Sequence, residues 1–271
     1  MLHAEKTVFI TGGSRGIGRG IAEHMGRLGY DVAFTYNSKL EEAQALHGLL
    51  VAMGRRCFYY QASLEKDEVA QAVTAQAIAD LGHLDVMVCC AGLTVHSNLL
   101  KLSAADIDFA YNLDYRSYML CAQTAARHMV DCSISGNIVF ITSTRGIRAY
   151  PEDPLYGGMK AALNRACESL ALELAPYGIR VNAVAPGATA VRGSYTPEEL
   201  SASPFSRQIP LCRMGTPAEV AAMVAYVVSA EASYLTGTVL RLDGGLILPG
   251  MPADSGGEQE PYWTRLPRRL L

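Results

Sequence analysis

Short apolar runs rich in β-branched and aromatic residues alternate along the chain with longer segments whose apolar positions recur every three to four residues. The short runs predict strands over residues 7–11, 32–36, 57–60, 86–89, 138–142, 180–184 and 239–242. The longer segments predict helices over 16–28, 41–53, 66–81, 104–130, 155–175 and 218–229. Strands separated by crossover helices pair in parallel, with the helices packed on both faces. The expected fold is α/β: a single-domain, Rossmann-like, doubly wound parallel sheet of about seven strands with helices on both faces. It is expected to occupy residues 1–249, leaving 250–271 as a C-terminal tail.

Two segments break the alternation. Residues 187–217 follow a strand end and are punctuated by Gly187, Gly193, Pro197, Pro204, Pro210, Gly215 and Pro217, which predicts a substrate loop or lid. The tail contains Pro252, Pro261 and Pro267 and places itself on a neighbouring subunit, at the active-site rim or plainly on the surface.

Composition narrows the function. The 271 residues are 50% hydrophobic and carry a net charge of −3, which favours neither nucleic acid nor membrane as partner. No apolar run reaches the length of a membrane span, and the N-terminus runs into the first strand without a signal-peptide pattern. Seven scattered cysteines without a C-x-x-C pair, most of them within predicted strands and helices as buried free thiols are, imply a reducing, cytoplasmic compartment and no metal site. Cys89 and Cys90 point to opposite sheet faces as neighbouring strand residues and read as core.

The chemistry enters with Tyr156 and Lys160, four residues apart in one predicted helix, and Ser143 thirteen residues upstream. A phenol has an ordinary pKa near 10. A lysine one helical turn away lies on the same face, and its charge favours the phenolate. A serine hydroxyl beside them orients a carbonyl or alcohol oxygen, giving a proton-transfer set for interconverting C=O and CH–OH.

Such a set needs a hydride carrier. The first predicted strand leads into Gly12-Gly13-Ser14-Arg15-Gly16-Ile17-Gly18, a turn that opens a helix. Glycines let backbone N–H groups approach a pyrophosphate, and the helix N-terminus adds partial positive charge. Dinucleotide-binding residues are therefore expected at Gly12, Ser14, Arg15, Gly16, Ile17 and Gly18. An NAD site places an acid near the end of the second strand. Here Tyr36 is followed by Asn37, Ser38 and Lys39, and Arg15 offers a partner for a 2′-phosphate, so NADP(H) is expected over NAD(H).

In this order the residues resemble the short-chain dehydrogenase/reductase family, over roughly residues 6–248. The shared features are the turn at 11–18, Ala91-Gly92, Asn112, Ser143, Tyr156 with Lys160, Arg180-Val181-Asn182, Pro186-Gly187, the stretch 209–217 and Leu242-Asp243-Gly244-Gly245. The match is nearest the 3-oxoacyl-carrier-protein-reductase-like branch. The resemblance implies that Tyr156 is the general acid in reduction and the general base in oxidation, and that Lys160 lowers its pKa and holds the nicotinamide ribose. It implies that Ser143 binds the reacting oxygen and that Asn112 helps relay protons from Lys160. It adds Ser63, Ala91, Gly92, Pro186, Gly187 and Thr189 to the cofactor site. It also implies a homodimer or homotetramer built on helices 104–130 and 155–175.

The chain departs from the family pattern at several places. Cys89-Cys90 stands where two asparagines are usual, and Ser63 where an aspartate commonly meets the adenine. Gly157 and Gly158 sit beside Tyr156, each costing about 1 kcal/mol relative to alanine in a helix interior. Residues 131–135 and Tyr177 lack the basic groups that an acidic carrier protein needs. The expected function is an NADPH-dependent carbonyl reductase or alcohol dehydrogenase acting on a small-molecule ketone or secondary alcohol. The alternatives are a 3-oxoacyl-carrier-protein reductase, a hydroxysteroid dehydrogenase, and an inactive dinucleotide-binding scaffold.

Overall fold

The computed structural model describes residues 6–191, 196–202 and 204–248. The expected tail and residues 192–195 and 203 of the expected loop, Gly193 among them, lie outside the described residues. Seven parallel strands form one sheet in the order β3-β2-β1-β4-β5-β6-β7. They are β1 Thr7–Ile10, β2 Asp31–Tyr36, β3 Cys57–Gln61, β4 Val86–Cys89, β5 Asn137–Ile141, β6 Arg180–Pro186 and β7 Val239–Leu242. Each expected strand is present within two residues at either end.

The central strands are apolar at consecutive positions because both faces are covered. On one face Phe9, Met87, Ile138 and Phe140 pack under α3 Val69–Leu81, α5 Ser117–Asp131 and α6 Tyr156–Leu174. On the other, Val8, Ile10, Val88 and Val139 pack under α1 Gly16–Arg27, α2 Leu40–Ala52 and α8 Pro217–Val228. No described helix is long and apolar enough to cross a membrane.

Three local differences from the periodicity have physical causes. The third helix starts at Val69 rather than 66, because Glu68 takes a left-handed φ of 62°. The expected helix 104–130 is broken: α4 Ala104–Tyr111 runs into a π-helical turn, Asn112–Arg116, before α5. A π turn admits one extra residue and shifts every side chain that follows around the axis. The stretch 187–217 contains a short helix, α7 Pro197–Ala202, and a 3-10 turn, Pro204–Gln208. Its start was legible: Thr196 Oγ1 accepts from Glu199 N at 3.2 Å while Glu199 Oε2 accepts from Thr196 N at 2.8 Å, a reciprocal cap.

The sheet order reverses between β1 and β4, and ligands in such sheets bind beyond the C-terminal ends of the strands at that point. The turns after β1, β4, β5 and β6 all emerge on this edge.

Candidate active site

The turn after β1 is held open by its neighbours. Gly12 N donates to Thr35 Oγ1 and Gly13 N to Thr35 O, both at 2.9 Å. Gly12 has φ +68°, and a Cβ there would meet Ala91 Cα at 2.9 Å, so only glycine fits. Thr11 Oγ1 accepts from Cys90 N at 2.9 Å and Ala91 N at 3.1 Å, tying β1 to β4 without the usual amides. No side chain caps α1, which leaves its first N–H groups free for an anion.

A cavity of about 390 Å³ opens over this turn. Gly12, Ser14, Arg15, Gly16, Ile17 and Gly18 line it, with Asn37, Ala91 and Gly92. These residues fit a pyrophosphate-bearing cofactor: a cradle that a Cβ would fill, beside an uncapped helix start. Ser63 and Ser38 are not in the lining; Ser63 Oγ instead approaches Asn37 Oδ1 at 3.5 Å. Glu65, absent from the sequence expectation, does line the cavity. Pro186 ends β6, Gly187 N donates to Leu242 O at 2.9 Å, and Thr189 Oγ1 donates to Gly187 O at 3.2 Å.

Across the edge, Ser143 follows β5 and its Oγ accepts from Arg145 N at 3.1 Å, leaving the hydroxyl proton to donate elsewhere. Tyr156 is the first residue of α6. One turn on, Lys160 is 2% exposed, with Nζ 5.3 Å from the Tyr156 ring centroid. Nζ donates to Tyr118 Oη at 3.0 Å and Ile141 O at 3.3 Å. Tyr118 is fully buried, and burial pushes its phenol well above the usual range, so it serves as a neutral acceptor.

A residue the sequence reading did not name stands beside Lys160. The side chain that reaches Lys160 is Asp114, not Asn112: Oδ1 lies 3.3 Å from Nζ. Asn112 begins the π turn half-buried, whereas Asp114, two residues on, is fully buried. The π turn rotates position 114 onto the face that looks at α6. Asp114 Oδ2 accepts from Leu93 N at 3.4 Å, and Oδ1 receives no well-formed hydrogen bond, so the Lys160 contact is an ion pair. Burial raises the Asp114 carboxyl above its ordinary value, against the opposing pull of Lys160. A Cβ on Gly92 would come within 2.5 Å of Oδ1, which explains that glycine. Asp114 and Tyr118 were invisible to motif reading. Their only signal is a carboxylate and a phenol inside an apolar helix.

A second buried ion pair flanks Tyr156. Arg145 Nε donates to Asp153 Oδ2 at 2.7 Å, and the Asp153 side chain is 1% exposed. The Arg145 guanidinium lies 5.4 Å from the Tyr156 ring centroid. Gly157 is explained by this pair: a Cβ would meet Arg145 O and Asp153 Oδ2, each at 2.9 Å. Gly158 has nothing within 4 Å and no structural account. All seven cysteines are free; Cys89 is buried in the core as expected, and burial pushes Cys90 to about 12.

A family model described as enoyl-(acyl carrier protein) reductase matches residues 12–247. Glucose 1-dehydrogenase 2 of Bacillus subtilis is 35% identical over 245 residues, covering 90% of this chain and 95% of that protein. The 3-oxoacyl-acyl-carrier-protein reductase FabG of Staphylococcus aureus is 32% identical over 243 residues, covering 90% and 98%. Acetoin dehydrogenase YohF from Salmonella typhimurium superposes with a TM-score of 0.84 at 34% identity, covering 90% of this chain and 98% of that one.

Proposed function

The chain belongs to the short-chain dehydrogenase/reductase family, and from that premise we propose that it is an NADP(H)-dependent carbonyl reductase and alcohol dehydrogenase acting on a small-molecule ketone or secondary alcohol. The observation that carries the reading is the placement of the Tyr156 ring 5.3 Å from a buried Lys160, on the same sheet edge as the uncapped glycine cradle. A nicotinamide cofactor held by the glycine turn and its neighbours would supply or accept the hydride. Ser143 donates its hydroxyl proton to the substrate oxygen. Tyr156 gives up or takes the proton on that oxygen, and Lys160 stabilises the phenolate that results. Asp114 and Tyr118 hold Lys160 in position.

Arg15, exposed at the cavity mouth, and the absence of an acid at Asn37 and Ser38 support NADP(H). The acid that does line the cavity, Glu65, comes from the segment after β3. Residues 1–249 form the catalytic unit in this reading, with 187–217 over the substrate and 250–271 appended. The chain works in the cytoplasm as a homodimer or homotetramer, and elution as a monomer would refute that assembly.

Decay of NADPH absorbance across a ketone panel tests the activity, with Tyr156→Phe as control. Equal inertness of both proteins while NADPH still binds would favour a scaffold. Arg15→Ala should weaken NADPH about tenfold and leave NADH nearly unchanged, because one charge-assisted contact is lost. Tighter NADH than NADPH binding in the wild type would sink the NADP(H) assignment.

A further inference from the structure

Beside the reacting tyrosine, one cation is held with its working edge open. Arg145 follows Ser143 by two residues, so the turn that presents the serine also presents the guanidinium. Its Nε is fixed by Asp153, and Asp153 Oδ1 in turn accepts from Gly157 N at 3.3 Å in the first turn of α6. The chain gives up helix propensity at Gly157 to seat this pair. The guanidinium lies over two aromatic rings, 5.4 Å from the centroid of Tyr156 and 5.7 Å from that of Tyr150. Its terminal Nη1 and Nη2 lie 3.4 Å from Nε2 and Nδ1 of His96, an exposed side chain. Among the described residues no carboxylate meets either terminal nitrogen.

A strap for α6 needs only the Nε contact. Two terminal amino groups that meet an imidazole and, among the described residues, no carboxylate form a fork that matches a planar carboxylate. Asp153 already offsets one unit of charge, which suits a monoanion better than a phosphate dianion. The geometry points to a substrate that carries a carboxylate: a short oxo acid, or the hydroxy acid it interconverts with, held by Arg145 and His96 while its carbonyl faces Tyr156 and Ser143. The assignment rests on the carbonyl-reductase reading above and names its substrate class. In the reduction, the carbonyl carbon gains a hydride from NADPH and the carbonyl oxygen gains the Tyr156 proton. Solvent then reprotonates the phenolate, NADP+ is left, and the carboxylate is unchanged.

The test compares 3-oxobutanoate with its methyl ester, which keeps the ketone and removes the charge. Wild type should reduce the acid with kcat/KM at least about tenfold above the ester, and Arg145→Met should lower the acid's value about tenfold to a hundredfold, the loss expected for a charged hydrogen-bonded contact. The ester should lose less than the acid, because both lose the support that Arg145 gives Asp153 beside Tyr156 but only the acid loses a charged contact. His96→Leu, at an exposed position, should lower the acid selectively as well. Equal use of acid and ester by the wild type, or equal losses on both in Arg145→Met, would overturn the inference.

A binding measurement separates this result from failure of the functional reading. Calorimetric titration of the NADP+-loaded protein with 3-hydroxybutanoate should show binding that Arg145→Met weakens at least about tenfold. If neither ketone consumes NADPH, the reductase reading fails and the titration alone decides the carboxylate site. No binding, or binding indifferent to Arg145, would refute it.

Discussion

Replacing Asp114 with asparagine removes one negative charge and changes almost nothing in shape. The charge sits 3.3 Å behind Lys160 Nζ, which is itself 5.3 Å from the Tyr156 ring centroid. Asp114 Oδ1 is therefore no farther than 3.3 plus 5.3, or 8.6 Å, from that centroid. At an effective dielectric constant of about 20, a unit charge at that distance acts on a phenolate by about 1.9 kcal/mol, or about 1.4 pH units. The sign follows directly. At the alkaline pH of an alcohol-oxidation assay the Asp114 carboxyl is ionised beside Lys160, and it opposes loss of the phenol proton. Asp114→Asn should therefore move the midpoint of the oxidation rate against pH downward by about 1.4 units or more, 8.6 Å being the greatest separation. The assay is initial-rate NADP+ reduction from pH 6 to 11 with a secondary alcohol, at saturating cofactor. A midpoint within about 0.3 units of the wild type would show that Asp114 exerts no electrostatic control over the proton transfer.

Stability should report the same carboxyl with a separate sign. Burial raises its folded pKa, so the folded state holds the proton more tightly than the unfolded one. Its contribution is full below the unfolded carboxylate range and is lost as pH rises through the folded value, so the wild-type Tm minus that of Asp114→Asn should fall as pH climbs above about 4. Gly157→Ala should destabilise despite alanine's better helix propensity, because its Cβ would press on Arg145 O and Asp153 Oδ2 at 2.9 Å. Gly158→Ala should instead raise stability by up to about 1 kcal/mol, and equal effects at the two positions in thermal melts would refute this account. Asp31 is fully buried and accepts from Arg56 N at 2.8 Å and Nε at 2.5 Å, so Asp31→Ala should cost about 3 kcal/mol in urea unfolding. With maleimide at pH 7, exposed Cys132 should be labelled first and Cys90 should stay unlabelled, its thiol lying at about 12; Cys132→Ser should remove the fast phase in mass spectra.

Most of the scaffold is local information. Strand positions follow from apolar runs that reflect burial on both faces, and the glycine turn follows from backbone conformations that side chains forbid. Ser143, Tyr156 and Lys160 are legible because the last two share one unbroken helix, where a spacing of four fixes their common face. The family resemblance, not helix spacing, put Asn112 near Lys160, and the side chain that reaches Nζ is Asp114, inside the π turn Asn112–Arg116. Periodicity carries no mark of that turn.

What the chain determined by itself was the order of strands and helices, the glycine turn after β1 and the shared helix of Tyr156 and Lys160. These depend on contacts between near neighbours and on steric limits of single residues. Only the tertiary structure decided that Asp114 and Tyr118 secure Lys160, that Gly157 makes room for Asp153, and that Arg145 lies over the Tyr156 ring. Those pairings join separate elements, in the Asp114–Lys160 case across a broken helix. Their physical cause is desolvation: a charge buried by folding must find its partner wherever packing brings one within reach.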